Sequence, residues 1–205
     1  MRYLVGLLLV VLVGCTQPVT PSPSSSAIGP PTSPSMPSSP SASPTCSPMG
    51  GTPRACSPEE FQKTEEQNRL TEEAIALYRR WTKESTRLYR AGGTDKPTKE
   101  MLEITAGDFR GSVLGIFQDI KAARVRALKG EVKIVTIGPD GEPSKNLDEV
   151  SIKACLDSRS LSFFRNGKHI RDGGMFFERV ITRRIDGKLV LWSARSGSVD
   201  TCAGG

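Results

Sequence analysis

The sequence predicts an α+β domain, with helices first and a curved, mainly antiparallel sheet after them. Three observations predict it. Residues 58–123 carry apolar side chains at helical spacing. From Val132 onward the apolar period shortens to two, the period of strands. Asn166-Gly167 and Asp186-Gly187, which suit tight hairpin turns, separate the strand-like runs. The 148 residues from Pro58 onward make one domain with a sizeable core.

The first helix is expected from Pro58 to Ala91. Ser57 caps it, Pro58 suits its first position, Glu60 completes a capping box and Gly92-Gly93 ends it. Its first three turns are polar apart from Phe61, and then Leu70, Ala74, Leu77, Tyr78, Trp81 and Leu88 share one face. A short second helix after Pro97 uses Met101, Leu102 and Ile104. A third stripe, Phe109, Val113, Ile116, Phe117, Ile120 and Ala123, predicts an amphipathic helix that stops near Gly130. Val132 to Ile137 reads as a strand, followed by a turn at Gly138-Pro139-Asp140-Gly141. Val150, Ile152, Ala154 and Leu156 alternate with Ser151, Lys153, Cys155 and Asp157, a half-buried strand with Cys155 on its opposite face. Leu161 to Phe164 and Lys168 to Ile170 form a small hairpin. Met175 to Ile185 and Lys188 to Ala194 form a longer one.

Residues 1–57 differ in composition from all of this. The apolar run Leu4 to Val13 is far below the roughly 20 residues a spanning helix needs, and it reads as a secretory signal. It closes in Leu12-Val13-Gly14-Cys15, which resembles the lipobox of bacterial lipoproteins. That resemblance implies a signal peptide over 1–14, cleavage before Cys15, and a diacylglyceryl group on the Cys15 thiol. The protein is then held on the extracytoplasmic face of the cell membrane. Each buried methylene contributes about 0.8 kcal/mol, so two acyl chains anchor stably without a spanning helix. Residues 15–57 are dominated by Ser, Pro and Thr, with no acidic residue and Arg54 as the single charge. Such a stretch cannot bury enough apolar surface to order itself, so it predicts a disordered tether. Fully extended, it reaches on the order of 100 Å. The domain boundary is therefore expected at residue 58.

Four cysteines remain once Cys15 is lipidated, and they allow three pairings. Metal binding is disfavoured, because the spacings are wide, no Cys-x-x-Cys occurs and His169 is the sole histidine.

The whole pattern resembles the small secreted lipoproteins of Gram-positive actinobacteria whose domain has the NTF2-like (cystatin-like) α+β fold. The resemblance rests on Cys15, the Ser/Pro tether, Ala76-Leu77-Tyr78 with Trp81, the segment Ile152-Lys153-Ala154-Cys155-Leu156-Asp157, the Arg184–Val190 hairpin and Cys202. It departs at Lys188-Leu189, where a Trp is expected; Trp192 is nearby. The resemblance implies a cone in which helices cover a bent sheet, and it transfers no catalytic residue. It also favours the pairing of Cys155 with Cys202, which leaves Cys46 with Cys56. By chain-entropy arithmetic the short loop contributes about 3 kcal/mol and the long one about 4.

Chemistry is sparse. No nucleophile elbow, phosphate loop or His-Glu-x-x-His is present. His169 reads as an exposed polar residue beside a turn. Asp157, at a strand end, is the candidate for proton transfer inside a cone, with Tyr78 or Tyr89 as a nearby phenol. Basic residues cluster at Lys121, Arg124, Arg126, Lys129 and Lys133, and again at Arg165, Lys168, Arg171, Arg179, Arg183 and Arg184. Interleaved acids and the compartment argue against nucleic acid. The leading expectation is a non-catalytic envelope lipoprotein that needs no cofactor and binds a protein partner or an envelope polymer. The alternatives are a small-molecule-binding or proton-transfer protein, which requires an apolar cavity with one or two buried polar groups, and a phage- or plasmid-encoded surface-exclusion lipoprotein. A subunit of a secretion or conjugation apparatus is a further alternative, although those relatives usually carry a full transmembrane helix.

Overall fold

The computed structural model describes residues 43–141 and 148–202, all within the compact unit that begins at Ser41. The signal segment, Cys15 and the tether up to residue 42 lie outside the described residues. The fold is α+β. A pair of two-residue strands, β1 (Thr45–Cys46) and β2 (Arg54–Ala55), precedes three helices, α1 (Pro58–Ala91), α2 (Lys99–Ile104) and α3 (Gly107–Ala122). Seven strands follow: β3 (Val125–Lys129), β4 (Lys133–Pro139), β5 (Glu149–Asp157), β6 (Ser162–Arg165), β7 (Lys168–Asp172), β8 (Met175–Ile185) and β9 (Lys188–Val199).

The long helix forms where its caps say it should. The Ser57 hydroxyl accepts from the Glu60 amide and Glu60 accepts from the Ser57 amide, with Pro58 in the first turn. At the far end Gly92 takes a left-handed conformation and the Gly93 amide returns to the Leu88 carbonyl. Leu70, Ala74, Leu77, Tyr78, Trp81 and Leu88 are all buried, so the predicted stripe is the face laid on the sheet.

Residues 43–57 depart from the expected tether. They fold onto α1, and the ordered domain begins before Pro58. Burial of apolar side chains does not explain this; cross-links do. Cys46 and Cys56 form a disulfide, the Met49 amide donates to Asn68 Oδ1 at 2.8 Å, and Asn68 Nδ2 donates to the Ser47 carbonyl at 3.0 Å.

Two further expectations are corrected. The third helix ends at Ala122 and does not run to Gly130. Arg124 adopts φ 53°, and the chain turns into β3, a five-residue strand. The strands also form two larger sheets, where one curved sheet was expected: β4-β5-β8-β9 and β3-β6-β7, antiparallel throughout. The chain passes between the sheets at a tight corner. Gly130, at φ +85°, lies so close to the Ser160 carbonyl that a Cβ would sit 1.9 Å from its oxygen. Gly173 meets the Ser158 carbonyl in the same way, at 2.1 Å. The Ser158 hydroxyl bridges to Gly174, donating to its carbonyl and accepting from its amide. Bulges in the β3–β6, β4–β5 and β8–β9 pairings add bend to both sheets.

The main core packs the apolar faces of α1, α2 and α3 on Val150, Ile152, Ala154, Val180, Leu189 and Leu191. A smaller core of Val125, Ala127, Leu161 and Phe163 fills the short sheet. A second disulfide joins Cys155 of β5 to Cys202 beyond β9. Two disulfides mark an extracytoplasmic protein. No described helix is long and apolar enough to cross a membrane.

Candidate functional site

The cavity lies where the two sheets part beneath the helices. It has a volume of about 390 Å³, within the usual range for small-molecule sites. Its walls are aromatic. Trp81 and Tyr89 come from α1, Phe109 and Phe117 from α3, Phe163 from β6 and Phe176 from β8. The rings pack edge to face, with Trp81 centred 5.3 Å from Phe109 and Tyr89 5.5 Å from Phe163. This ring network holds the walls in shape while leaving the centre open. Exposed Ser112 and Ile116 of α3, and Ala194 and Ser196 of β9, form the mouth.

One carboxyl group sits in this apolar wall. Strand alternation puts Phe176, Glu178 and Val180 on the inner face of β8. In register across the sheet, Glu178 is flanked by Ala154 of β5 and Ser196 of β9. Ala154 is small enough to leave room above it. Tyr78, fully buried on α1, donates its hydroxyl to Glu178 Oε2 at 2.5 Å, a contact spanning 100 residues of sequence. Burial pushes the Glu178 carboxyl above its ordinary value, against hydrogen bonds from Tyr78 and Ser196 that favour the charged form. Burial also pushes the Tyr78 phenol well up, and the adjacent carboxylate adds to that. Tyr89 is raised for the same two reasons, with Arg171 pulling the other way. The pair is thus a hydroxyl–carboxyl unit at the cavity wall, with the phenol donating to the carboxyl group.

The residues singled out from sequence divide sharply. Tyr78 and Tyr89 are at the cavity, and Tyr78 makes its central hydrogen bond. Asp157 is not. It sits at the end of β5 on the face opposite Leu156, where Arg159 grips it through two side-chain bonds and its own amide. Those bonds hold the Asp157 carboxyl down at about 2, so it is a fixed anion in a surface ion pair and no proton-transfer group. His169 is half exposed and bonds Asp172 at 3.0 Å. The second basic cluster is partly neutralised, Arg179 by Asp140 and Arg183 by Glu149. Glu178 carries no signal in the sequence beyond its position in an alternating strand. Only its register against Ala154 and its pairing with a distant phenol reveal it.

No protein-family model matches the chain, and no curated protein matches it. Among solved structures, the intermembrane space region of the chloroplast protein ARC6 is similar over 62% of this chain and 95% of that one, at 11% identity and a TM-score of 0.45. A likeness of that extent carries no argument about fold or function.

Proposed function

We propose that this protein is a membrane-anchored extracytoplasmic lipoprotein whose NTF2-like cone binds a small molecule without transforming it. One observation carries the reading: a cavity of about 390 Å³ with an aromatic wall, a few buried hydroxyls (Thr82, Ser85 and Ser158) and one carboxyl, Glu178, bonded to the buried Tyr78. That is the architecture of a ligand site, and it favours a small molecule over a protein partner or an envelope polymer. The address is supported by the lipobox-like segment ending at Cys15 and by the two disulfides. The cone is supported by helices covering antiparallel strands, with the chain turning tightly between the two sheets at Gly130 and Gly173. In this reading a diacylglyceryl group on Cys15 joins the chain to the membrane, and the Ser/Pro-rich stretch holds the cavity away from the lipid surface.

Proton transfer is the second reading, favoured by the raised Glu178 carboxyl with a phenol 2.5 Å away. It requires a ligand that is altered on incubation, whereas simple binding returns it unchanged.

The test of the cavity is uptake of a neutral solvatochromic dye such as Nile red by the full chain, followed by dye emission and by quenching of Trp81 in a Trp192→Phe background. A saturable blue shift is expected, and Ser112→Trp, placed at the exposed mouth, should abolish it. Emission indistinguishable from dye in buffer sinks the proposal. The anchor is tested separately: Cys15→Ala should abolish metabolic lipid labelling, and labelling that persists refutes the assignment.

A further inference from the structure

The ligand class is written in what Glu178 lacks. Its partners are two hydroxyl groups, Tyr78 and Ser196, and no cation among the described residues is placed against it. Two donors leave part of a carboxylate's roughly four lone-pair positions open. The buried Glu84, by contrast, is held by the Arg87 guanidinium. The groups around Glu178 do not supply what it is missing. From α1 come the phenols Tyr78 and Tyr89, from α3 comes Asp108, and from β7 come Asp172 and one cation, Arg171. Arg171 lies over the ring of Phe163, another wall of the cavity, at 5.3 Å from its centroid, and makes no ion pair with Glu178 among the described residues. The cavity lining therefore carries three carboxyl groups, Glu178, Asp108 and Asp172, against one guanidinium, Arg171, among ring faces and edges. A desolvated carboxylate without a counter-ion is costly, and a bound cation removes that cost. Aromatic faces add attraction for a soft organic cation. An anionic ligand meets repulsion from Glu178, and a neutral one leaves the charge uncompensated.

We propose that the cavity binds an organic ammonium ion, its cationic head against Glu178 and its apolar body against Trp81, Tyr89, Phe109 and Phe176. The proposal rests on the cavity being a ligand site. It adds a sign of charge to that reading and makes Glu178 the residue that sets specificity. Tyr78, buried behind the carboxylate, acts as a positioning residue.

Three probes of similar size separate the two readings: 2-phenylethylammonium, 2-phenylethanol and phenylacetate, each titrated calorimetrically into the full oxidised chain. The ammonium should bind at least about tenfold tighter than the alcohol, with phenylacetate the weakest of the three. Glu178→Gln should bring the ammonium to within about threefold of the alcohol. The ammonium-to-alcohol ratio in the unmutated chain reads the proposal even if the variant fails to fold. An alcohol that binds as tightly as the ammonium overturns the charge assignment but leaves the cavity as a ligand site, and so does a preference that survives Glu178→Gln. If none of the three binds and the neutral dye is also excluded, both the charge assignment and the cavity reading fall.

Discussion

Two glutamates inside this domain meet opposite fates. Glu84 lies on α1 with its side chain 7% exposed, and Arg87, one turn along the same helix, clamps it at 2.6 and 2.7 Å. Thr98, which caps α2, donates to the same carboxylate at 2.6 Å. Burial alone would raise the Glu84 carboxyl, but the bonds from Arg87 and Thr98 outweigh it and hold it below its ordinary value. Glu178 is also shielded from water, yet only hydroxyl groups reach it, and burial wins. Glu84 ties α1 to the start of α2 and does not line the aromatic cavity. Glu178 faces an aromatic cavity. A carboxylate neutralised within its own helix serves the fold; one left without a cation on a cavity wall is available to a ligand.

The sharpest way to break this contrast is to remove the charge from each glutamate in turn. Glu84→Gln should show the larger effect. The amide cannot take both Arg87 bonds and the Thr98 bond, and it leaves a guanidinium facing a donor. The expected loss is about 2 kcal/mol at pH 7, read as a lower urea midpoint with unchanged slope. The sign of its pH dependence follows from the lowered carboxyl. The stabilisation is complete above the ordinary value of 4.5 and is lost as the pH falls through the folded-state value. Wild type and variant should therefore converge on the acid side. A constant gap across that range would mean that packing, and not the charged bonds, carries the effect.

The same contrast explains what could be read from the chain. Glu84 and Arg87 stand three apart on a predicted helix, so their contact is set by local spacing. The capping box at Ser57 and the apolar stripe from Leu70 to Leu88 were legible for the same reason. Glu178 was not, because its meaning depends on strand register and on Tyr78, 100 residues away. Asp157 drew attention instead, since it closes an obvious alternating strand. The alternation itself puts it on the far side from Leu156, which lines the cavity. Residues 125–129 read as the tail of a helix because five residues are too few to show a period, and the left-handed Arg124 that breaks the helix is a non-glycine. Residues 43–57 read as tether because composition registers burial, while a disulfide and two bonds to Asn68 do the holding.

Glu178→Gln should give the smaller change, and of opposite sign. A raised carboxyl contributes stability below its ordinary value of 4.5 and loses it as the pH rises through the folded-state value. Above that window the folded state carries a charge with no cationic partner. The amide keeps an oxygen to accept the Tyr78 hydroxyl and turns its nitrogen toward the cavity, so little is sacrificed. In ligand-free protein at pH 8 the variant should match or exceed wild type by on the order of 1 kcal/mol, with the advantage vanishing below pH 4.5. Thermal melts across pH 4 to 8 read this directly. A saturating ammonium probe should reverse the order at pH 8, because wild type alone gains a partner for its charge. If Glu178→Gln instead destabilises the ligand-free chain as strongly as Glu84→Gln does, the cavity carboxylate is a structural tie like its counterpart, and the distinction drawn between them fails.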